Sequence, residues 1–205
     1  MRFRRLFHLA GLCVLMFSAA CSWMPRPVIT HDPLTSEEHL TLGRAYLSRD
    51  LRPLAKEEFL KSLAQDQRNL SAHMELGNLA YEAGAFEEAE DHFQSVLMSD
   101  PHHAGASNNL AMVYLEQGSH RKEIESLIRR ALEGSSTFRP YALHTLATLY
   151  VEQGRLDEAS RLLEEADRLA GGGHVSLQTQ LVRLRARIES RDTPDHPPCS
   201  FEPCR

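Results

Sequence analysis

One spacing constrains this chain more than any other. A leucine followed by a small residue recurs at Leu42-Gly43, Leu76-Gly77, Leu110-Ala111 and Leu146-Ala147, at steps of thirty-four, thirty-four and thirty-six residues. Repetition at such a period means that one helical or mixed supersecondary unit is stacked on copies of itself. The clearest unit runs from Leu76 to Pro101, divided by Gly84, with Ala89 and Phe93 four apart in its second half. Each half reads as a helix. The Leu-Gly pair gives a partner helix close access, and Ala89, Phe93 and Val96 at i, i+4, i+7 make an apolar stripe among acidic residues. The matching pairs are Ala55 and Phe59 in the first unit and Ala159 and Leu163 in the fourth. In the third, Ile124 and Ile128 take these places once a residue is inserted after Gly118, and one more extra residue precedes Pro140.

Leu-Gly early, Ala then Phe in a second helix, and a closing Pro resemble the tetratricopeptide (TPR) repeat. The expected fold class is therefore all-α, with four helix-turn-helix units at about 36–69, 70–103, 104–139 and 140–173. The resemblance implies that they wind into a right-handed superhelix, an α-α solenoid. The last unit of a stack exposes an apolar face that needs a cover. Val175, Leu177, Leu181, Leu184 and Ile188, interleaved with Arg183, Arg185 and Arg187, make 174–191 the expected capping helix, with the arginines on its solvated side.

Ahead of the repeats, Arg2, Arg4 and Arg5 precede a twelve-residue apolar run, Leu6 to Phe17, broken only by His8 and followed by Ser18, Ala19 and Ala20. This pattern is an export signal over 1–20; a run of that length is short of the roughly 20 residues that a membrane-spanning helix needs. Cys21 follows directly, and a cysteine after small residues resembles the lipobox of bacterial lipoproteins, whose thiol is diacylated. Ser18 also suits an ordinary signal peptidase, so a soluble exported chain and an uncleaved anchor stand as the other readings. The resemblance implies lipidation at Cys21, and Ser22 after it resembles the pattern for outer-membrane sorting. Residues 21–35, with Pro25, Pro27 and Pro33, read as a tether that reaches about 45 Å when extended. Thr35 and Glu38 form a capping box at the first repeat helix.

Loss of the leader arginines takes the formal net charge from −5 to −8, a balance unsuited to nucleic acid and mildly repelled by anionic lipid. Membrane attachment would then rest on the acyl chains. The tail 192–205 is proline-rich and expected to be disordered. Its Cys199 and Cys204 are candidates for a disulfide in an oxidising compartment, with each other or with another chain. His196 beside them makes only a weak metal site. His102-His103 follow Pro101 at an inter-repeat turn, where solvated histidines are expected. The Glu87, Glu88, Glu90, Asp91 cluster reads as a solvated helix face.

No chemistry stands out. The chain has no phosphate loop, no G-x-S-x-G and no H-E-x-x-H, and contains three lysines. The expectation is a non-enzymatic protein with no cofactor, no metal, no nucleic-acid partner and no small-molecule substrate. In TPR arrays the first helices line a groove, and the resemblance carries those places to Leu40, Arg44 and Leu47; Met74, Asn78 and Tyr81; Asn108, Met112 and Leu115; and Tyr141, His144, Thr148 and Val151. About half of these are expected to pack between repeats. Amides among hydrophobes suit an extended or helical peptide. Arg44 alone is basic, so a groove that clamps a C-terminal carboxylate is not expected.

The signal with its candidate lipobox, the tether, the repeats, Ser107-Asn108-Asn109-Leu110 opening the third and the lengthened Thr137-Phe138-Arg139-Pro140 connection together resemble the type IV pilus biogenesis lipoproteins of the PilF/PilW pilotin family. The resemblance implies an outer-membrane lipoprotein facing the periplasm that assists assembly of a secretin ring, its partner being a secretin subunit. A periplasmic TPR adaptor that recruits peptidoglycan hydrolases or proteases shares every feature except the partner.

Overall fold

The computed structural model describes residues 32–134, 136–171 and 175–192. The chain divides after Thr35, and the helical unit begins at Ser36. Among the described residues there are nine helices and no strand: α1 (Ser36–Leu47), α2 (Arg52–Gln65), α3 (Leu70–Glu82), α4 (Phe86–Ser99), α5 (Ala104–Gln117), α6 (Arg121–Glu133), α7 (Arg139–Glu152), α8 (Leu156–Ala170) and α9 (Val175–Asp192). Successive helices pack as hairpins, α1 on α2, α3 on α4, α5 on α6 and α7 on α8, and each hairpin packs on the next.

The hairpins share one turn. At the C-terminus of each first helix one residue is left-handed: Asp50 (φ 57°), Gly84 (74°), Gly118 (63°) and Gly154 (76°). The next amide then reaches back five residues, Leu51 to Tyr46 (3.0 Å), Ala85 to Ala80 (2.9 Å), Ser119 to Tyr114 (3.0 Å) and Arg155 to Tyr150 (2.9 Å). These bonds are those of a Schellman motif, which satisfies the carbonyls at the helix end and reverses the chain.

In the third unit the inserted residue is His120. It is left-handed (φ 49°), stacks on Tyr114 with ring centroids 4.2 Å apart, and its carbonyl accepts the Ile124 amide at 3.3 Å. In the other units the residue just after the left-handed position does this. The insertion is absorbed in the turn, and Ile124 and Ile128 still reach the core, each 1% exposed. The longer connection into α7 carries Phe138, which lies against Gly105 near the start of α5, where a Cβ would stand 3.0 Å from Cε1 of the ring.

Within each hairpin the small residue of the first helix faces the large residue of the second. A Cβ on Gly77 would come within 2.6 Å of the Phe93 ring, and one on Gly43 would likewise strike Phe59. Ala111 and Ala147 stand at the same place in the units whose second helices carry Ile128 and Leu163, all four buried. Glycine occurs where the partner is a ring and alanine where it is aliphatic, so the larger side chain of one helix is matched by the smaller residue of the other.

Leu177, Leu181, Leu184 and Ile188 of α9 are buried in the cluster that contains Leu163, Ala166 and Ala170 of α8. Arg183 and Arg187 are exposed. Arg185 differs from the expected solvated arginine: it bonds Asp167 of α8 at 3.0 Å, and Gln178 donates to the same carboxylate at 2.9 Å. None of the described helices is long and apolar enough to cross a membrane.

Candidate functional site

Three first helices and the last helix enclose one pocket of about 380 Å³. Asn78, Tyr81 and Glu82 come from α3, Asn108, Asn109 and Met112 from α5, Tyr141, His144 and Thr145 from α7, and Gln180 from α9, with Phe93 of α4 behind them. The first helices face one side because each hairpin repeats the same turn and crossing, so equal places in successive units come side by side.

A row of side-chain hydrogen bonds crosses this face. Asn109 Nδ2 donates to Asn78 Oδ1 at 2.8 Å, Asn108 Nδ2 to Asn109 Oδ1 at 3.3 Å, and Thr145 Oγ1 to Asn108 Oδ1 at 2.8 Å. Each amide oxygen in the row accepts from the next residue along. Each amide nitrogen in the row keeps at least one further N–H, a donor that suits a carbonyl of a peptide backbone. The row also ties three units together, and Asn108 and Thr145 are buried within it.

The walls are less polar. Tyr81 is half-buried, tilted against Phe86 with centroids 5.8 Å apart, and packs with Met112 against the central core. Burial, then the charge of Glu116 and the hydrogen bond that the Tyr81 hydroxyl donates to it, push the phenol pKa up to about 12. His144 is 8% exposed, and burial lowers its pKa to about 4, opposed by a bond with the Gln180 backbone. At neutral pH the pocket therefore presents the neutral imidazole of His144 and the phenol of Tyr81 beside its amides, with Glu82 at its edge bonded to Arg52.

Of the residues named from sequence, Asn78, Tyr81, Asn108, Met112, Tyr141 and His144 line this pocket together. Leu40 does not: it is 2% exposed in the core between the first two hairpins. Leu115 and Val151 are also core residues, at 6% and 0%, in the central and C-terminal clusters. Met74 packs half-buried against the central core and Leu47 against the N-terminal one. Arg44 lies outside the pocket, bonded to Glu75 at 2.7 Å. Thr148 donates to the His144 carbonyl at 3.0 Å. His103 is more than a solvated turn residue, since its Nδ1 accepts the Ala106 amide at 3.0 Å and caps α5. Cys21, Cys199 and Cys204 lie outside the described residues.

Sequence reasoning does not place Asn109, Thr145 or Gln180 in the groove. Asn109 stands beside Asn108, and Thr145 beside His144, but adjacent helix positions differ by about 100° and only the tilt of each helix brings both into one wall. Nothing in the sequence signals Gln180.

Models of the tetratricopeptide repeat match residues 40–100, 80–122 and 140–165. The chain is built of TPR repeats. Over 175 residues this TPR chain is 26% identical to the type IV pilus assembly protein PilF of Pseudomonas aeruginosa, with 82% of the chain and 66% of PilF covered. It thus spans a little less than two thirds of that relative's length. A solved structure of Pseudomonas aeruginosa PilF superposes with a TM-score of 0.57 at 23% identity, covering 78% of this chain and 72% of that one. The crystal structure of MamA superposes with a TM-score of 0.58 at 26% identity, covering 70% and 83%. The pocket thus lies on the face of the TPR first helices, and α9 closes its end.

Proposed function

We propose that this TPR protein is a non-enzymatic scaffold of the bacterial envelope, anchored by lipid on Cys21. In this role it assists assembly of an envelope machine, such as the secretin of a type IV pilus, by holding an extended segment of a partner protein in the pocket. The observation that carries the reading is the amide row of Asn78, Asn109 and Asn108, set between Tyr81, Met112 and Tyr141. N–H groups spaced along a groove with apolar walls meet backbone carbonyls and side-chain anchors of a peptide at once. The similarity to PilF, a type IV pilus assembly protein, supports the choice of machine.

The test uses the purified secretin subunit of the same cell as ligand. Asn78→Asp keeps the oxygen that accepts from Asn109 but replaces N–H donors with a charged acceptor, at almost unchanged volume. Affinity is expected to fall about tenfold or more, while the unfolding midpoint stays nearly constant. Tyr81→Ala is expected to lower both, since Tyr81 also packs on Phe86. Unchanged secretin binding by Asn78→Asp would remove the pocket from the assignment.

A further inference from the structure

His73 of α3 and His92 of α4 face each other across the second hairpin, with their Nδ1 atoms 3.0 Å apart and both rings half-buried. Nε2 of His73 lies 3.2 Å from the Gln67 carbonyl oxygen. A carbonyl only accepts, so His73 carries its proton on Nε2 and presents a lone pair at Nδ1. This is the arrangement of a metal-ligating histidine, whose second ring nitrogen is held by a backbone oxygen.

The first hairpin shows what the same place looks like without a second imidazole. Thirty-four residues earlier stand His39 and Glu58. There Nδ1 of His39 meets Oε2 of Glu58 at 2.7 Å, and Lys61 donates to the other oxygen at 2.9 Å. In the second hairpin the carboxylate is replaced by His92, so two nitrogen ligands converge.

The geometry points to a transition-metal site at His73 and His92, taking a divalent ion of the zinc, nickel or copper class through the two Nδ1 atoms. Nitrogens bound to one ion at about 2.0–2.1 Å stand about 2.9–3.4 Å apart, from right-angled to tetrahedral coordination, and the observed separation falls in that range. Binding requires His92 to carry its proton on Nε2, a change of neutral tautomer. Among the described residues no third histidine, cysteine or carboxylate closes on the pair. Glu88, one turn before His92, is held by Lys56 at 2.7 Å. Water completes the coordination, which the half-buried position allows. Imidazole ligands exclude magnesium and calcium, which prefer oxygen. The ion would staple α3, the helix that also carries Asn78 and Tyr81, to α4. Neither histidine lines the pocket.

The test adds Zn²⁺ alone to tag-free protein and follows thermal unfolding and calorimetric titration. At about ten times the dissociation constant, the wild-type midpoint is expected to rise by about 4 °C, because the metal binds the folded pair and not the separated histidines. His73→Gln and His92→Gln are each expected to abolish the rise while Mg²⁺ has no effect on any of them. The glutamine variants keep hydrogen-bonding capacity, and their metal-free midpoints report whether they fold. Should either be unfolded, His92→Glu, which rebuilds the pair of the first hairpin, takes its place and is expected to bind Zn²⁺ at least tenfold more weakly. No rise in wild type, or an equal rise in the variants, would overturn the site.

Discussion

The Phe93 ring fills the space that a side chain on Gly77 would need: a Cβ there would stand 2.6 Å from Cε1 and 2.9 Å from both Cδ1 and Cζ, and the ring is fully buried. Neither helix can yield without opening the hairpin. Gly77→Ala is therefore expected to cost about 1–3 kcal/mol by overpacking, and Gly77→Leu at least as much. The same crossing exists with smaller partners in the fourth unit, where Ala147 faces Leu163. Phe93→Leu should accordingly rescue Gly77→Ala, with a coupling well beyond the ~0.5 kcal/mol scatter of independent sites. Chemical denaturation of both single variants and the double variant measures this, and simple additivity would show that the two residues do not share a volume.

Asp50 occupies the left-handed position that glycine takes at the three later turns. Its side chain accepts from Arg52 Nε at 2.9 Å, but the carboxylate is largely exposed and such a pair adds little. Asp50→Gly is expected to stabilise the protein by about 0.5–1 kcal/mol by relieving the Cβ clash of that conformation. A lowered thermal midpoint would mean that the Arg52 pair outweighs the backbone.

His144 links stability to pH. Its pKa is about 4 in the folded chain, lowered by burial from the ordinary 6.5. Between these values the unfolded state takes up a proton that the native state does not. The contribution is therefore complete above pH 6.5 and is lost as pH falls toward 4, to an extent of about 3 kcal/mol. Unfolding midpoints from pH 7.5 to pH 4.5 should fall more steeply for wild type than for His144→Gln. Parallel profiles would assign the acid sensitivity to other groups.

Cys21→Ser is expected to shift the protein from the membrane fraction to the soluble periplasmic fraction, because no described helix is long and apolar enough to replace a lipid anchor. Fractionation with a check that the leader has been cleaved decides it. A serine variant that stays with the membrane would sink the lipid as sole anchor.

The repeat register was legible in the sequence because packing at the helix crossing is local and periodic. Leu42-Gly43 with Phe59, and Leu76-Gly77 with Phe93, restate one volume constraint at a constant interval, and no knowledge of the neighbouring units is needed to see it. The irregular third unit was legible for the same reason: Ile124 and Ile128 had to reach the core, so the extra residue had to sit before them. That it is His120, held left-handed and stacked on Tyr114, depended on the turn.

The groove was legible only in part. The resemblance to TPR arrays implies groove-facing places on each first helix, and these included Asn78, Tyr81, Asn108, Met112, Tyr141 and His144, which do meet in one pocket. They also included Leu40, Leu115 and Val151, which the adjoining helices bury. Whether a residue at such a place is wall or core depends on the tilt between successive hairpins. That tilt is summed from the packing of all of them and appears in no single repeat. The same tilt aligns Asn109 and Thr145 with their neighbours and brings Gln180 of α9 to the end of the pocket. Sequence alone determined which unit the chain repeats and which residues share the crossing inside each hairpin, because those follow from contacts inside one hairpin. Tertiary structure decided which side chains converge across hairpins, because that geometry exists only once the stack has formed.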